Sequence, residues 1–314
     1  MTTITTARHK TKFYLTVILG TLFFLGLATI LLFIYFDQRE LGNSKPKTAL
    51  MPFFSIAVYF MAFYTVYRYY RNAPNIRVDN QLISFNNETF SLADVQHIEL
   101  TGKRNFPYLF SFPMEAATLR FKDGQTKYIF DDMYENAWQL KSYLKHVLVD
   151  KKSFTEQDTK QIEKSELESE WYDTYKDNQF TSLRGISLWG LVSFFAFMQL
   201  TKGKAPSSGG WIFLVVFGIF WFVFHSWLMH YFEVSQSYFV VKNHNLIWKK
   251  KAYRLSDIKE IVFETQGKMP NCLRVITKDF RNKLYPAGTL RDRTWLELKD
   301  KLESHNIRVR NECI

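Results

Sequence analysis

Residues 78–100 read VDNQLISFNNETFSLADVQHIEL, and residues 241–263 read VKNHNLIWKKKAYRLSDIKEIVF. The two stretches align without a gap at an offset of 163 residues, and five aligned pairs are identical: Val78 and Val241, Asn80 and Asn243, Leu92 and Leu255, Asp94 and Asp257, and Ile98 and Ile261. This period is far longer than the roughly 20–50 residues of solenoid repeats. The pattern therefore predicts a duplicated domain in a chain of 314 residues.

The first copy continues into a hairpin and a helix. Residues 118–130 (TLRFKDGQTKYIF) alternate apolar and polar residues around Asp123-Gly124, which predicts a hairpin with a type I′ turn. Asp132 and Glu135 form a capping-box pattern. Apolar residues at helical spacing follow, namely Met133, Ala137, Leu140, Leu144 and Val147. These features predict a small sheet closed by an amphipathic helix.

The second copy repeats this design with one departure. Residues 119–121 recur as residues 273–275, and a second helix is predicted to start near Thr289 and Asp292, with Trp295, Leu298 and Leu302 on its apolar stripe. Each predicted helix contains a tryptophan, Trp138 in the first copy and Trp295 in the second. Residues 277–285 (TKDFRNKLY) lack the Asp-Gly turn, so the sequence alone leaves the strand register of this hairpin open.

Four uncharged apolar windows precede the two strand-rich segments in pairs, at residues 13–36, 49–67, 186–201 and 211–232. A hydrocarbon core about 30 Å thick requires roughly 20 residues of helix. The third window is shorter than that and is also compatible with a buried helix or a re-entrant segment, but its place in the repeat matches that of the first. The windows therefore predict two transmembrane helical hairpins.

The distribution of Lys and Arg predicts the orientation. Two hairpins cross the membrane an even number of times, so both termini and both soluble segments lie on one face. Next to that face are Arg8, Lys10, Lys12, Arg68, Arg71, Arg77, Lys242 and residues 249–251, whereas the opposite loops carry Arg39, Lys45, Lys47, Lys202 and Lys204. The positive-inside rule then places the N- and C-termini in the cytoplasm.

Both copies share a Leu-x-Asp-(Val/Ile) step, at residues 92–95 and 255–258, followed by a hairpin and a terminal helix and preceded by a transmembrane pair. In this layout each half resembles the bacterial pleckstrin-homology-like (bPH) domains of small membrane proteins. The resemblance implies a multi-pass protein of the bacterial inner membrane. It also implies the fold class, membrane α plus α+β, in which each transmembrane hairpin is followed by a small PH-like antiparallel sheet closed by a C-terminal helix.

The expected organisation has five parts: transmembrane hairpin 1 (residues 1–72), PH-like domain 1 (73–149), a charged helical linker (150–184), transmembrane hairpin 2 (185–233) and PH-like domain 2 (234–314). In the linker, Ile162, Leu167, Trp171 and Tyr175 have the spacing of one helical face. We expect a solvated helix that runs into the membrane interface at Trp171 and Tyr172, with a partner-binding helix as the alternative.

The sequence contains no P-loop, G-x-G-x-x-G, G-x-S-x-G or H-E-x-x-H motif, so no catalytic, cofactor or metal site is predicted and the protein is not expected to be an enzyme. His225 and His230 lie in the fourth apolar window, five residues apart. Two ligands converge best at a spacing of four residues, so a neutral hydrogen-bonded histidine is favoured over a proton or metal site at His225. Cys272 and Cys313 have no metal-ligand spacing.

The two copies differ in charge. Residues 77–149 contain 8 basic and 9 acidic residues, whereas residues 242–310 contain 17 basic and 8 acidic residues. Lys249, Lys250 and Lys251 align with the predicted turn of the first copy, and Arg254 follows closely. These four residues are the candidate contacts for an anionic headgroup or a partner, with a solvated turn as the alternative. Nucleic acid is not expected, because the basic residues lack interleaved aromatic residues.

These observations predict a non-enzymatic protein whose PH-like domains bind lipid headgroups or a protein partner, with self-association as a further interaction. The resemblance to bPH proteins implies a role in envelope stress or in immunity to a toxin or bacteriocin. The alternative function is a membrane transporter or an accessory subunit of one, which the lack of charged residues inside the spans disfavours for coupled transport.

Overall fold

The structure is a computed structural model that describes residues 5–42, 48–108, 111–151, 162–201, 208–267 and 269–314. The chain divides into two compact units, Met1–Thr155 and Glu156–Ile314. Each unit contains a pair of apolar helices, small and mostly antiparallel sheets, and a helix near its C-terminal end. The chain is therefore an α+β protein.

The first unit begins with a short strand and two long helices, followed by seven strands and a final helix. In order these are β1 (Thr5–Thr6), α1 (Thr11–Glu40), α2 (Met51–Asn72), β2 (Ile76–Val78), β3 (Leu82–Phe85), β4 (Glu88–Ser91), β5 (Val95–Glu99), β6 (Lys103–Pro107), β7 (Ser111–Phe121), β8 (Thr126–Phe130) and α3 (Ala137–Leu144). A 3-10 turn at Leu92–Asp94 separates β4 from β5, and a π-helix, Lys145–Asp150, extends α3.

The strands of the first unit form two sheets. One has the order β1-β2-β3-β4, and in the other β7 pairs with β5, β6 and β8, all antiparallel. Helix α3 buries Leu140 and Leu144 in the same core as Leu119 and Ile129 of the second sheet. Apolar side chains recur at the spacing of one helical face, which is why this helix closes the sheets.

The second unit has a similar order of elements, with the additional strand β16 at the edge of one sheet. Its elements are α4 (Lys164–Glu168), β9 (Asp173–Tyr175), α5 (Leu183–Thr201), α6 (Ser208–Trp227), β10 (His230–Val234), β11 (Tyr238–Asn243), β12 (Lys251–Arg254), β13 (Ile258–Thr265), β14 (Asn271–Thr277), β15 (Asn282–Pro286), α7 (Asp292–Ser304) and β16 (Arg308–Asn311). The sheets have the orders β9-β10-β11-β12 and β15-β14-β13-β16, and β16 is parallel to β13. A 3-10 turn at Leu255–Asp257 joins them in sequence.

Hydrogen-bond register shows that the connection between β11 and β12 is longer than its counterpart. Leu82 pairs with Ser91 across β3 and β4, and Tyr238 pairs with Arg254 across β11 and β12. Arg254 lies 163 residues after Ser91, but Tyr238 lies only 156 residues after Leu82, so the second connection contains seven more residues. The gapless alignment is therefore wrong upstream of β12.

The predicted position of the lysines changes with this register. The turn of the first unit consists of Asn86 and Asn87 alone, whereas residues 242–250 separate the paired ends of β11 and β12. Lys251 begins β12, and Lys249 and Lys250 lie in the long loop before it. The second unit thus has a long loop with apolar residues followed by basic ones, at the position where the first unit has the two-residue turn Asn86-Asn87.

Downstream of these turns the two units share a β-bulge. The register shifts between Val95 and His97 on β5, and between Ile258 and Glu260 on β13. Beyond the bulge, Ile98 pairs with Leu119 and Ile261 pairs with Val275. Residues 119–121 therefore correspond in register to residues 275–277, two positions beyond the sequence match with residues 273–275.

The Asp-Gly hairpin forms between β7 and β8, but its turn is not type I′. The Gly124 N–H donates to the Phe121 carbonyl (3.0 Å), and the Phe121 N–H donates to the Gln125 carbonyl (2.9 Å). Gly124 has a φ of +83° while Asp123 has a negative φ, and a type I′ turn needs positive φ at two residues. The loop is a three-residue turn with one left-handed residue.

The β14–β15 hairpin has the same turn without a glycine. The Phe280 N–H donates to the Thr277 carbonyl (2.8 Å), and the Thr277 N–H donates to the Arg281 carbonyl (2.9 Å). Phe280 occupies the left-handed position with a φ of +63°, which is strained for a bulky side chain. This register was not accessible from the sequence.

The two terminal helices agree with the sequence to different degrees. Helix α7 starts at Asp292 and buries Trp295, Leu298 and Leu302, as predicted. Helix α3 starts only at Ala137, so the capping box predicted for Asp132 and Glu135 does not form. At the cap position, the Asn136 side chain accepts the Arg8 N–H (2.8 Å). Trp138 is half-buried, in contrast to the fully buried Trp295.

The prediction of one continuous linker helix is wrong within the described residues. Helix α4 ends at Glu168, and Asp173–Tyr175 form strand β9, which pairs with β10. Backbone hydrogen bonds with β10 stabilise a strand at these residues, although their apolar spacing favours a helix. Trp171 lies between these elements and is 96% exposed, and part of the linker, residues 152–161, lies outside the described residues.

Two helices of the described chain are long and apolar enough to cross a membrane: α1, and the segment Thr48–Asn72 that contains α2. They pack through small residues, since Ala28 and Ala62 are fully buried and the Ser55 hydroxyl donates to the Ala28 carbonyl (2.8 Å). In the described parts of α5 and α6, the apolar stretches Leu183–Phe195 and Leu214–Trp227 are shorter. By length and composition, α1 and the segment that contains α2 could therefore span a membrane.

Candidate functional site

The loop between β11 and β12 is fixed to the C-terminal end of α6. The Asn243 side chain donates to the Ser226 carbonyl (2.7 Å), and the Asn245 side chain donates to the Ser226 hydroxyl (2.9 Å). The His244 N–H donates to the Met229 carbonyl (3.0 Å). Three hydrogen bonds therefore hold the start of the loop beside the end of this apolar helix.

The loop also has an internal anchor. The Asn243 carboxamide oxygen accepts the N–H groups of Asn245 (3.1 Å) and Leu246 (2.8 Å), which is an Asx-type turn. The Leu246 side chain is buried. The backbone up to Leu246 is thus held by side-chain hydrogen bonds and by burial, and the residues after Leu246 project outward.

The outward part combines two apolar and three basic side chains. Ile247 is 80% exposed and Trp248 is 73% exposed, and Lys249, Lys250 and Lys251 are all exposed. We call residues 247–251 the surface loop. Two large apolar side chains are thus exposed directly beside a basic cluster.

A groove of about 800 Å³ opens beside the surface loop. Its charged lining residues are Lys250, Lys251, Arg254, Asp257, Asp279, Arg281 and Lys283. The predicted contacts Lys250, Lys251 and Arg254 therefore share one groove, while Lys249 belongs to the surface loop alone. We call this the basic groove.

Aromatic rings support the lysines of the basic groove. The Lys251 ammonium lies 5.9 Å from the Tyr253 ring centroid, and the Lys283 ammonium lies 5.5 Å from the Tyr285 ring centroid. The two tyrosine hydroxyls are hydrogen-bonded to each other (2.6 Å), and burial raises the pKa of Tyr253 to about 12. Both tyrosines are thus neutral near pH 7 and add no negative charge.

The lysines of this region repel one another. The pKa of Lys283 lies below its ordinary value, first because the ammonium is partly desolvated and then because Lys251 and Lys249 are close. Among the described residues, no ion pair joins Lys249, Lys250, Lys251 or Lys283 to a carboxylate. An anion placed between these lysines would relieve the repulsion.

Arg254 has an acidic partner from the linker. Its guanidinium lies 3.2 Å from a carboxylate oxygen of Glu166 in α4, and the Tyr238 hydroxyl donates to the same carboxylate. These contacts lower the pKa of Glu166, with the Tyr238 hydrogen bond as the largest cause and Arg254 next. Glu166 is therefore ionised near neutral pH.

The first unit has a groove at the same strand positions with the opposite charge character. It measures about 750 Å³, and its charged lining residues are Glu88, Asp94, Lys122 and Asp123. By register, Glu88 corresponds to Lys251 and Ser91 corresponds to Arg254. The two grooves therefore differ in charge: acidic residues outnumber basic ones in the first, and basic residues outnumber acidic ones in the second.

The two histidines do not share a site. The His225 ring packs against the Trp221 ring in α6, with centroids 4.3 Å apart and the planes tilted by 43°. His230 lies in β10, beyond the end of α6, so the prediction that it lies in a membrane helix is wrong. Its Nδ1–H donates to the Pro286 carbonyl (2.8 Å). In the part of the chain that the structure describes, no cluster of His, Cys, Asp or Glu has the arrangement of a metal site.

Several residues of the site did not stand out in the sequence. The pair Ile247-Trp248 directly before three lysines was a detectable signal. Lys283 and Glu166 gave none, because β15 and α4 bring them to the loop only in the folded chain.

No protein-family model matches the chain. No curated protein matches its sequence.

Proposed function

We propose that the chain is a multi-pass protein of the bacterial inner membrane, in which a transmembrane hairpin and a cytoplasmic PH-like domain occur twice, and that it acts by binding. The shared order of elements supports the duplication, since each unit joins a helix pair to two small sheets and a closing helix. The same bulge after the Leu-x-Asp turn, and the same hairpin turn around Gly124 and Phe280, support it further.

The second helix pair is included in this proposal because of its surface. The Trp221 indole N–H donates to the Ser187 carbonyl (3.4 Å), which joins α5 and α6. Large apolar side chains of α6 stay exposed, among them Ile212, Val216, Ile219 and Phe220. Water would disfavour such a surface, while lipid chains would cover it.

We further propose that the second unit contacts anionic lipid headgroups through the surface loop. One observation carries this proposal: hydrogen bonds to Ser226 and Met229 fix the loop at the end of α6, and Trp248 with three lysines projects from it. If α6 spans the bilayer, its end lies at the headgroup level, where tryptophan is enriched. Each Lys near an anionic leaflet gains about 1 kcal/mol.

The biological setting follows from the resemblance to bPH proteins. A membrane-bound sensor that holds anionic lipid or a partner at the cytoplasmic face would suit envelope stress or immunity to a toxin or bacteriocin. In this proposal the lipid contact orients the second PH-like domain, and a protein partner or a second copy of the chain is a further ligand.

The experiment compares lipids retained by the full chain after mild detergent extraction, measured by native mass spectrometry. Reversal of Lys249, Lys250 and Lys251 to Glu should reduce the retained anionic lipid about tenfold, because attraction becomes repulsion. The matched control replaces the same three lysines with Arg and should retain lipid as the wild type does. Equal retention in all three proteins would contradict the proposed headgroup contact.

A further inference from the structure

The basic groove and the acidic residue beside it form one arrangement. Helix α4 borders the groove, since its Leu167 lines it together with Ile162. From the same short helix, Glu166 reaches Arg254 and Tyr238. A carboxylate of the linker is thus bound by two donors at the rim of a groove that is otherwise rich in lysine.

Among the described residues, neither acidic residue of the groove is ion-paired with one of its lysines. The Asp279 carboxylate pairs with the Arg281 guanidinium (3.0 Å) and also accepts the Thr277 hydroxyl. Asp257 accepts the Ser256 hydroxyl (3.2 Å). Lys250, Lys251 and Lys283 therefore present positive charge to the groove.

The equivalent groove of the first unit shows that the fold does not require a cluster of unpaired lysines at this position. There Lys127, at the register position of Lys283, pairs with Glu88. Glu88 is replaced by Lys251 in the second unit, so the internal partner of the lysine is missing at that position. The same fold thus holds a neutralised lysine in one copy and a cluster of lysines in the other.

We propose that the basic groove binds a phosphate group, carried either by a lipid headgroup or by a soluble phosphate compound, and that Glu166 is an internal anion which the phosphate displaces from Arg254. A phosphate offers several oxygens, so it can accept from a guanidinium and from separate ammonium groups together. Arg254 changes partner from a single carboxylate to this ligand. The linker thereby senses whether the groove is occupied.

This inference rests on the proposed function, since Lys250 and Lys251 belong to both the surface loop and the basic groove. The two parts differ chemically, however. Contact of Trp248 and Lys249 with a bilayer requires a surface, whereas displacement of Glu166 requires only phosphate. A soluble probe therefore separates them.

The test uses the full chain in nanodiscs of phosphatidylcholine, titrated with inorganic pyrophosphate and followed by calorimetry. Glu166→Gln should bind about fivefold tighter than the wild type, because the competing charge is removed. Glu168 lies on the same helix and pairs with Lys164 instead of a groove residue, so Glu168→Gln should bind as the wild type does. Lys283→Gln should bind about tenfold more weakly, because it removes one charge-assisted contact.

A second arm replaces part of the phosphatidylcholine with phosphatidic acid, whose headgroup is a phosphate monoester. Pyrophosphate binding alone assigns the site to soluble phosphate compounds, and competition by phosphatidic acid assigns it to lipid. Equal behaviour of Glu166→Gln and Glu168→Gln, or binding of a glutamate-rich peptide but of neither phosphate probe, would overturn the inference. Intact pyrophosphate binding, together with retention of anionic lipid that Trp248→Ala leaves unchanged, would refute the proposed headgroup contact of the surface loop while the groove site stands.

Discussion

His230 is a buried histidine that the second unit holds in its neutral form. Its Nδ1–H donates to the Pro286 carbonyl, and burial, the largest cause, lowers its pKa from 6.5 to about 4. His244, in the loop beside α6, also has its pKa lowered to about 4, again mainly by burial. Protonation of His230 would therefore affect the start of β10, and protonation of His244 would affect the start of the loop between β11 and β12.

The stability of the second unit should therefore fall with acid. The unfolded chain takes up a proton at His230 near pH 6.5, while the folded chain resists protonation until about pH 4. Stability is thus fully present above pH 6.5 and is lost toward pH 4, by about 3 kcal/mol for His230. In thermal unfolding of the full chain in detergent, His230→Asn should show a shallower loss between pH 7 and pH 4.5 than the wild type. Identical slopes would show that His230 does not titrate this way.

Phe280 shows why the sequence left the strand register of the β14–β15 hairpin open. The turn needs one residue with positive φ, and glycine at position 124 signals this in the first copy. Phe280 adopts the same conformation, and its ring lies 4.3 Å from the Lys259 ammonium. Contacts of the ring with groups distant in sequence stabilise a backbone conformation that residue type alone would not predict.

The 3-10 turns after β4 and β12 are formed by the Leu-x-Asp steps that align in the sequence. Both Leu-x-Asp steps form such a turn, and Leu92 (4% exposed) and Leu255 (9% exposed) are buried in their respective cores. A short turn with one apolar anchor has a local signature. The correspondence between these two stretches of sequence was therefore recognisable from this point onward.

Truncation of either anchor should destabilise its own unit. Leu92→Ala and Leu255→Ala should each lower the free energy of unfolding by about 2 to 5 kcal/mol, because each leaves a cavity. Unfolding of the full chain in detergent, followed by tryptophan fluorescence, measures this. The exposed leucines Leu82 and Leu296 provide matched controls, and their Ala variants should change little. Equal effects at buried and exposed leucines would contradict the packing described for these turns.

Elements that depend on non-local pairing were predicted least well. The helical spacing in the linker gave way to β9, because the exposed edge of β10 offers backbone hydrogen bonds to Asp173–Tyr175. The seven-residue difference at the β11–β12 loop was hidden because the stretch after it aligned without a gap. Of the candidate site, the lysines were found from charge alone, whereas the partners Glu166 and Lys283 required the folded arrangement.

Across the whole molecule, the proposed duplication makes a definite prediction about topology. Two membrane-crossing hairpins place reporter fusions after Asn72, Asp150 and Ile314 on the cytoplasmic side, in line with the Lys and Arg distribution. Paired alkaline phosphatase and fluorescent-protein fusions measure this. Opposite sides for Asp150 and Ile314 would mean that the second helix pair crosses the membrane an odd number of times.

The claim that the surface loop contacts the membrane is tested most directly by a spin label at Ile247→Cys, in a Cys313→Ser background that leaves the buried Cys272 in place. In nanodiscs with anionic lipid, the label should collide mainly with oxygen, which concentrates in lipid, and little with a water-soluble nickel reagent. A label at Asn87→Cys, in the tight polar turn of the first unit, should collide mainly with the nickel reagent. A label at position 247 that stays as accessible to nickel as the one at position 87, with or without anionic lipid, would contradict the account.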